Sequence, residues 1–172
     1  LYEAFGWDKP RYIHCPPVMK DEHQKLSKRN GDASFQDLVA KGYLAEAILN
    51  YIALLGWSPS EDKEIYTLEE LCKAFDVKHI GTTGAIFDIN KLTWMNGVYL
   101  RNMDIDKYYE LVKSHIYKIV NDNLDYKLIA NAIHDRVNIL SEIDEMISFL
   151  NGVGEYNVEE IPSWVDHAMP LE

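Results

Sequence analysis

Cysteine is scarce in this chain of 172 residues. Its two copies, Cys15 and Cys72, lie too far apart for a C-x-x-C site and argue against a disulfide framework. A reduced, cytoplasmic setting is therefore expected. No apolar run approaches the roughly 18 residues of a membrane span, so no membrane partner is expected. The opening Leu1-Tyr2-Glu3-Ala4-Phe5 lacks the basic start and apolar stretch of a signal peptide. The six histidines (His14, His23, His79, His115, His134, His167) form no H-x-x-x-H or H-E-x-x-H pattern, which leaves no metal site to expect. Gly81-Thr82-Thr83-Gly84 lacks the lysine of a P-loop and the glycine spacing of a dinucleotide fold, and reads as a plain loop. There is no internal repeat and no low-complexity segment. Positive charge is also short: 17 Lys+Arg stand against 28 Asp+Glu, a net charge of −11 with a pI near 4.9. Taken whole, that balance argues against nucleic acid, whose phosphates are bound through Lys and Arg.

What is present is ordinary for a globular protein: 47% apolar and 26% charged residues, and length enough for one domain or two small ones with a real core. The chain starts without Met inside an apolar stretch, and Leu171-Glu172 resembles a cloning scar. It reads as a fragment.

Along the chain, residues 9–31 are rich in Pro, Lys, Arg and His, with a strand-like run at 11–15 that Pro16-Pro17 must end. Helices dominate after Asn30-Gly31. Ser34 is placed to cap a short helix that stops before Gly42. Residues 44–55 are apolar nearly all round, with Leu44, Ile48, Tyr51, Ile52 and Leu55 on one face and only Glu46 and Asn50 interrupting. A helix buried on most sides is predicted. Thr67-Leu68-Glu69-Glu70 is a capping box, and Asp88 is placed to cap helical turns that run to Arg101 with a break at Asn96-Gly97. His115 is expected to be a partly buried, hydrogen-bonded residue, and Trp94 a core residue. From Asp104 the pattern becomes amphipathic helices, with stripes over Tyr108, Leu111, Val112, His115, Ile116 and Ile119, then Leu128, Ile129, Ala132, Ile133, Val137 and Leu140. A third, shorter stripe holds Ile143, Met146, Ile147 and Leu150. The fold class expected is mainly α with a small β element at the N-terminus. The domains expected are 1–103, 104–162, and a tail 163–172.

The segment that carries chemistry is Lys25-Leu26-Ser27-Lys28-Arg29. Three cations and a hydroxyl in five residues, on a loop bounded by a turn, suit a polyphosphate. When a phosphoryl or adenylyl group is transferred, charge grows on nonbridging oxygens and on departing pyrophosphate. Lysines placed there stabilise the transition state more than the ground state. A loop can also close over a nucleotide and reopen.

This loop resembles the KMSKS-type loop of class I aminoacyl-tRNA synthetases, in the KLSKR form of glutamyl-tRNA synthetases. The flanks agree. Leu1-Tyr2-Glu3-Ala4-Phe5-Gly6-Trp7 resembles LYEALGW, and Asn50-Tyr51-Ile52-Ala53-Leu54-Leu55-Gly56-Trp57-Ser58-Pro59 resembles NYLALLGWSP. Phe87-Asp88-Ile89-Asn90-Lys91-Leu92 and Trp94-Met95-Asn96-Gly97-Val98-Tyr99-Leu100-Arg101 match FDxxKLxWxNGxYxR. These blocks cover residues 1–103; over 104–150 the likeness is one of helical pattern.

The resemblance implies a C-terminal fragment of a bacterial-type enzyme that activates glutamate with ATP and transfers it to tRNA-Glu. Lys25, Ser27 and Lys28 would be catalytic, Lys28 contacting ATP phosphates, and Lys25, Leu26, Ser27, Lys28 and Arg29 would bind ATP, with Mg2+ in the full enzyme. Residues 1–103 would be a stem-contact domain and 104–162 the first part of a helical anticodon-binding domain. The partners would be tRNA-Glu, ATP and glutamate, and the protein a monomer. Arg101 and Arg136 are the candidate tRNA contacts. The family's Rossmann domain and its HIGH-type motif lie before the loop. His79-Ile80-Gly81 follows the loop and reads as a turn, so the fragment is expected to be inactive alone. The run Asp21-Glu22-His23-Gln24 lacks the glycine many relatives have. The alternatives are a non-catalytic tRNA-binding module or a helical protein-interaction domain with an accidental basic turn. Charge is divided unevenly: residues 1–31 sum to +2, 32–103 to −4 and 104–172 to −9.

Overall fold

A computed structural model describes residues 1–27, 34–120 and 124–151. The chain divides into two compact units. The first is Leu1–Asn102 together with Asn138–Leu140; the second is Met103–Val137 with the residues from Ser141 on.

The first unit runs α1 (Tyr2–Phe5), β1 (Val18–Met19), α2 (Phe35–Ala40), α3 (Ala45–Gly56), α4 (Leu68–Ala74), β2 (Ala85–Ile86) and α5 (Ile89–Arg101). Three of its helices, α2, α4 and α5, begin where short polar side chains reach back to orphan N–H groups. Ser34 and Thr67 form complete capping boxes with Asp37 and Glu70. The Asp88 carboxylate accepts from Asn90 N at 2.8 Å. Gly42, at φ +91°, takes the left-handed conformation that follows the end of α2.

Helix α3 packs on α5, and between and around them lie Leu38, Tyr43, Ile48, Tyr51, Leu92 and Met95. Full burial of each such side chain is worth about 1.5–3 kcal/mol. A second cluster of Trp57, Tyr66 and Leu71 lies against the end of α3 and α4.

Four expectations are corrected here. The run at 11–15 forms no strand; the strand is Val18–Met19, just beyond the prolines, where a partner exists. That partner, Ala85–Ile86, pairs in parallel with Val18 opposite Ala85 and Met19 opposite Ile86, so the β element is not confined to the N-terminus. Helix α3 is not buried on most sides: Ile52 is half exposed and Leu49 nearly so, while Asn50 is fully buried. Trp94, on α5, is 47% exposed and is not core.

Nor does α5 break at Asn96-Gly97. The Asn96 side chain turns inward, accepts from Leu44 N at 2.7 Å and donates to Asn138 O at 2.5 Å. Those bonds satisfy a buried amide without interrupting the helix. Gly97 lets the Asn138 side chain come close to the helix backbone.

The second unit contains α6 (Ile105–Ile119), α7 (Tyr126–Ile133) and α8 (Ile143–Met146). Asp104 and Asp125 cap the first two through their carboxylates. Tyr108, Val112 and Ile116 line the inner face of α6, against α7 and α8. The inner face of α7 is Ala130 and Ile133, followed by Val137; Leu128, expected on that stripe, is 66% exposed. His115 Nδ1 lies 2.5 Å from Asp144 Oδ1, the partly buried bonded arrangement expected of it.

Candidate functional site

The described part of the basic loop emerges from a hairpin. The Asp21 carboxylate accepts from His23 N and Gln24 N, each at 2.8 Å, a side chain standing in for backbone in the turn. Lys20 N donates to Gln24 O at 2.7 Å, and Leu26 N to Val18 O at 3.0 Å. Lys25 lies opposite Met19 in an antiparallel bridge. Strand β1 is thus paired on both edges: Val18 O takes Leu26 N, while Met19 O takes Phe87 N at 2.8 Å.

Lys25 is exposed, and Leu26 and Ser27 are half-buried. Lys28 and Arg29 lie outside the described residues. An apolar cavity of about 270 Å³ is walled by Pro16, Val18, Ile52, Trp57, Phe75 and Ala85 among others. Its lining suits no phosphate and includes none of Lys25, Leu26 and Ser27.

His79-Ile80-Gly81 closes a short 3-10 turn, Val77–His79, and is tied to the end of α3: Gly81 N donates to Gly56 O at 2.8 Å and Ser58 N to His79 O at 3.1 Å. It opens no helix. Of the two arginines, Arg101 donates to Asn138 Oδ1 at 3.2 Å, within the first unit. Arg136 follows α7 on an exposed turn, and no ion pair to it occurs among the described residues. Arg101 belongs to the first unit and Arg136 to the second. Among the described residues no three His, Cys, Asp or Glu side chains are placed to hold a metal ion. No described helix is long and apolar enough to cross a membrane.

Sequence reasoning missed a polar frame between α3, α5 and the segment before α4. Asn50 Oδ1 accepts from Tyr66 N and from the Tyr99 hydroxyl, each at 2.8 Å. Burial pushes the Tyr99 phenol up to about 12, so it stays a neutral donor. The Tyr51 hydroxyl accepts from Asp88 N at 2.6 Å, and burial raises its phenol as well. The available signal was an amide next to a tyrosine on an otherwise apolar helix.

Residues 1–94, more than half the chain, match the family described as tRNA synthetases class I (E and Q), catalytic domain. The chain belongs to that family of class I tRNA synthetases. It is 55% identical over 159 residues to the glutamate–tRNA ligase of Clostridium botulinum (strain Loch Maree / Type A3), covering 92% of this chain and 33% of the relative. It is 54% identical over 159 residues to that of Clostridium kluyveri, with the same coverage. Among solved structures it resembles the glutamate–tRNA synthetase of Elizabethkingia anophelis with a TM-score of 0.79 and 27% identity, over 94% of this chain and 37% of that one. The chain spans about a third of the length of the curated relatives it matches.

One expectation falls here. Residues 1–94 match a catalytic-domain description, and the matched stretch is not the C-terminal part of the relatives.

Proposed function

We propose that this chain is the part of a glutamate–tRNA ligase that handles the phosphates of ATP and contacts tRNA. The observation that supports it most is the Lys25-Leu26-Ser27-Lys28-Arg29 loop, set on a hairpin that leaves Lys25 exposed, in a chain 55% identical to glutamate–tRNA ligases. In this reading a glutamate carboxylate oxygen attacks the α-phosphorus of ATP, the bond to the bridging oxygen breaks, and pyrophosphate leaves with the electron pair. Lys28 and Lys25 neutralise the charge that accumulates on the nonbridging oxygens and the leaving group, and Ser27 shapes the loop. Arg29 adds charge to the phosphate site. Mg2+ accompanies ATP; no residue described here is assigned to it. A hydroxyl oxygen of tRNA-Glu then attacks the carbonyl carbon of glutamyl adenylate, the hydroxyl proton is lost, the acyl–phosphate bond breaks and AMP leaves. Residues 1–103 would lie against the stem of the tRNA and 104–162 toward its anticodon. Arg136 is the better placed of the two arginines for RNA, because Arg101 is engaged by Asn138. The chain alone would not charge tRNA. The complete enzyme would act in the cytoplasm as a monomer.

In an enzyme of the relatives' full length carrying this sequence, Lys28→Ala is expected to slow glutamate-dependent ATP–pyrophosphate exchange by about 10²–10³-fold, the usual cost of one transition-state donor. An unchanged exchange rate would overturn the assignment.

A further inference from the structure

We propose that Tyr51, buried in α3 and remote in sequence from the basic loop, is a positioning residue for Lys25. The inference rests on the reading of the loop as the ATP-phosphate site. Two successive backbone N–H groups at the end of β2 point to different partners. Phe87 N donates to Met19 O at 2.8 Å and so holds β1. Asp88 N donates to the Tyr51 hydroxyl at 2.6 Å and so holds the same stretch against α3. The Tyr51 ring meets the Phe87 ring edge-on, centroids 5.3 Å apart and planes at 89°. Tyr51 is 2% exposed, so both contacts are made by a side chain that the core fixes. On the other edge of β1, Val18 O receives Leu26 N, and Met19 faces Lys25 across the antiparallel bridge.

A path of hydrogen bonds, ring contact and strand pairing therefore runs from α3 through Tyr51, Phe87 and Met19 to Lys25. β1 has only two residues and two neighbours, so its position depends on both edges. Asp88 also caps α5, which ties the tyrosine contact to the start of that helix. The hairpin itself carries little buried apolar surface, since residues 20–25 are all exposed. Its placement must come from the pairing beneath it, and Tyr51 is where that pairing meets the core.

Tyr51→Phe keeps the ring against Phe87 and removes only the hydroxyl. In the chain as it stands, hydrogen exchange is expected to quicken at Leu26 and Phe87 while α6 amides keep their rates. In the full-length enzyme the KM for ATP is expected to rise about three- to tenfold, the range set by one hydrogen bond, with the KM for glutamate unchanged. Unchanged exchange at Leu26 and Phe87 would overturn the positioning role. So would an equal rise in both KM values with a lowered melting temperature, the mark of a purely structural residue. Lys25→Ala in the same enzyme separates the two readings. If it leaves the KM for ATP unaltered, the phosphate assignment fails. If it raises that KM and Tyr51→Phe does not, the positioning inference fails alone.

Discussion

Gly97 occupies a point where a side chain has no room. A Cβ there would stand 2.3 Å from Asn138 Oδ1 and 2.9 Å from the Arg101 guanidinium. Helix propensity alone would favour alanine by about 1 kcal/mol. Crowding of a packed position costs about 1–3 kcal/mol, and losing the charged hydrogen bond from Arg101 to Asn138 adds to it. The crowding wins, and Gly97→Ala is expected to destabilise the protein by roughly 1–3 kcal/mol, read as a lower urea midpoint. A raised midpoint would mean that Asn138 is loosely held. Asn96-Gly97 looked in the sequence like a helix break, because an amide followed by glycine is a turn signal wherever no tertiary partner is known. The partner, Asn138, lies far along the chain, and local pattern had no means of naming it. Asn50 was misread for the same reason: it interrupts an apolar face in sequence and completes a buried frame in space.

Among the elements, those whose cause is local were legible. Ser34, Thr67 and Asp88 each cap the helix that their position announced, because the bonds close within three residues. Strand β1 was not, since two residues become a strand only by pairing with Ala85–Ile86 much later in the chain. Of the basic loop, the residues were legible and the support beneath them was not. The contact of α6 with α8 carries a pH dependence. Hydrogen bonds from Lys118 and from His115 hold the Asp144 carboxyl below its ordinary value of 3.8. A carboxyl lowered in the folded state stabilises it fully above that ordinary value, and the contribution fades as pH falls through the lowered one. Asp144→Asn is thus expected to flatten the loss of stability on acidification from about pH 5 to about pH 2, measured by urea unfolding at each pH. An Asn variant as acid-sensitive as the parent would show that the contact contributes nothing.

Across the whole molecule, the negative total conceals a gradient from a mildly basic first 31 residues, at +2, to a strongly acidic last portion, at −9. Such a chain is not held to RNA by a generally attractive surface. On the proposed function, the affinity of the full-length enzyme for tRNA is expected to fall with salt at a logarithmic slope of about −2 to −5, which corresponds to a handful of phosphate contacts. A slope near −10, found for strongly basic binders, would contradict it. The return of Asn138–Leu140 to the first unit has a consequence in time as well as in space. Asn96 donates to a carbonyl made 42 residues after it. A ribosome adding about 5–20 residues per second takes about 2–8 s to supply it. Throughout that interval the newborn first unit leaves the Asn96 side-chain N–H without Asn138 O, so a chaperone that meets the chain early finds a core amide still short of its partner.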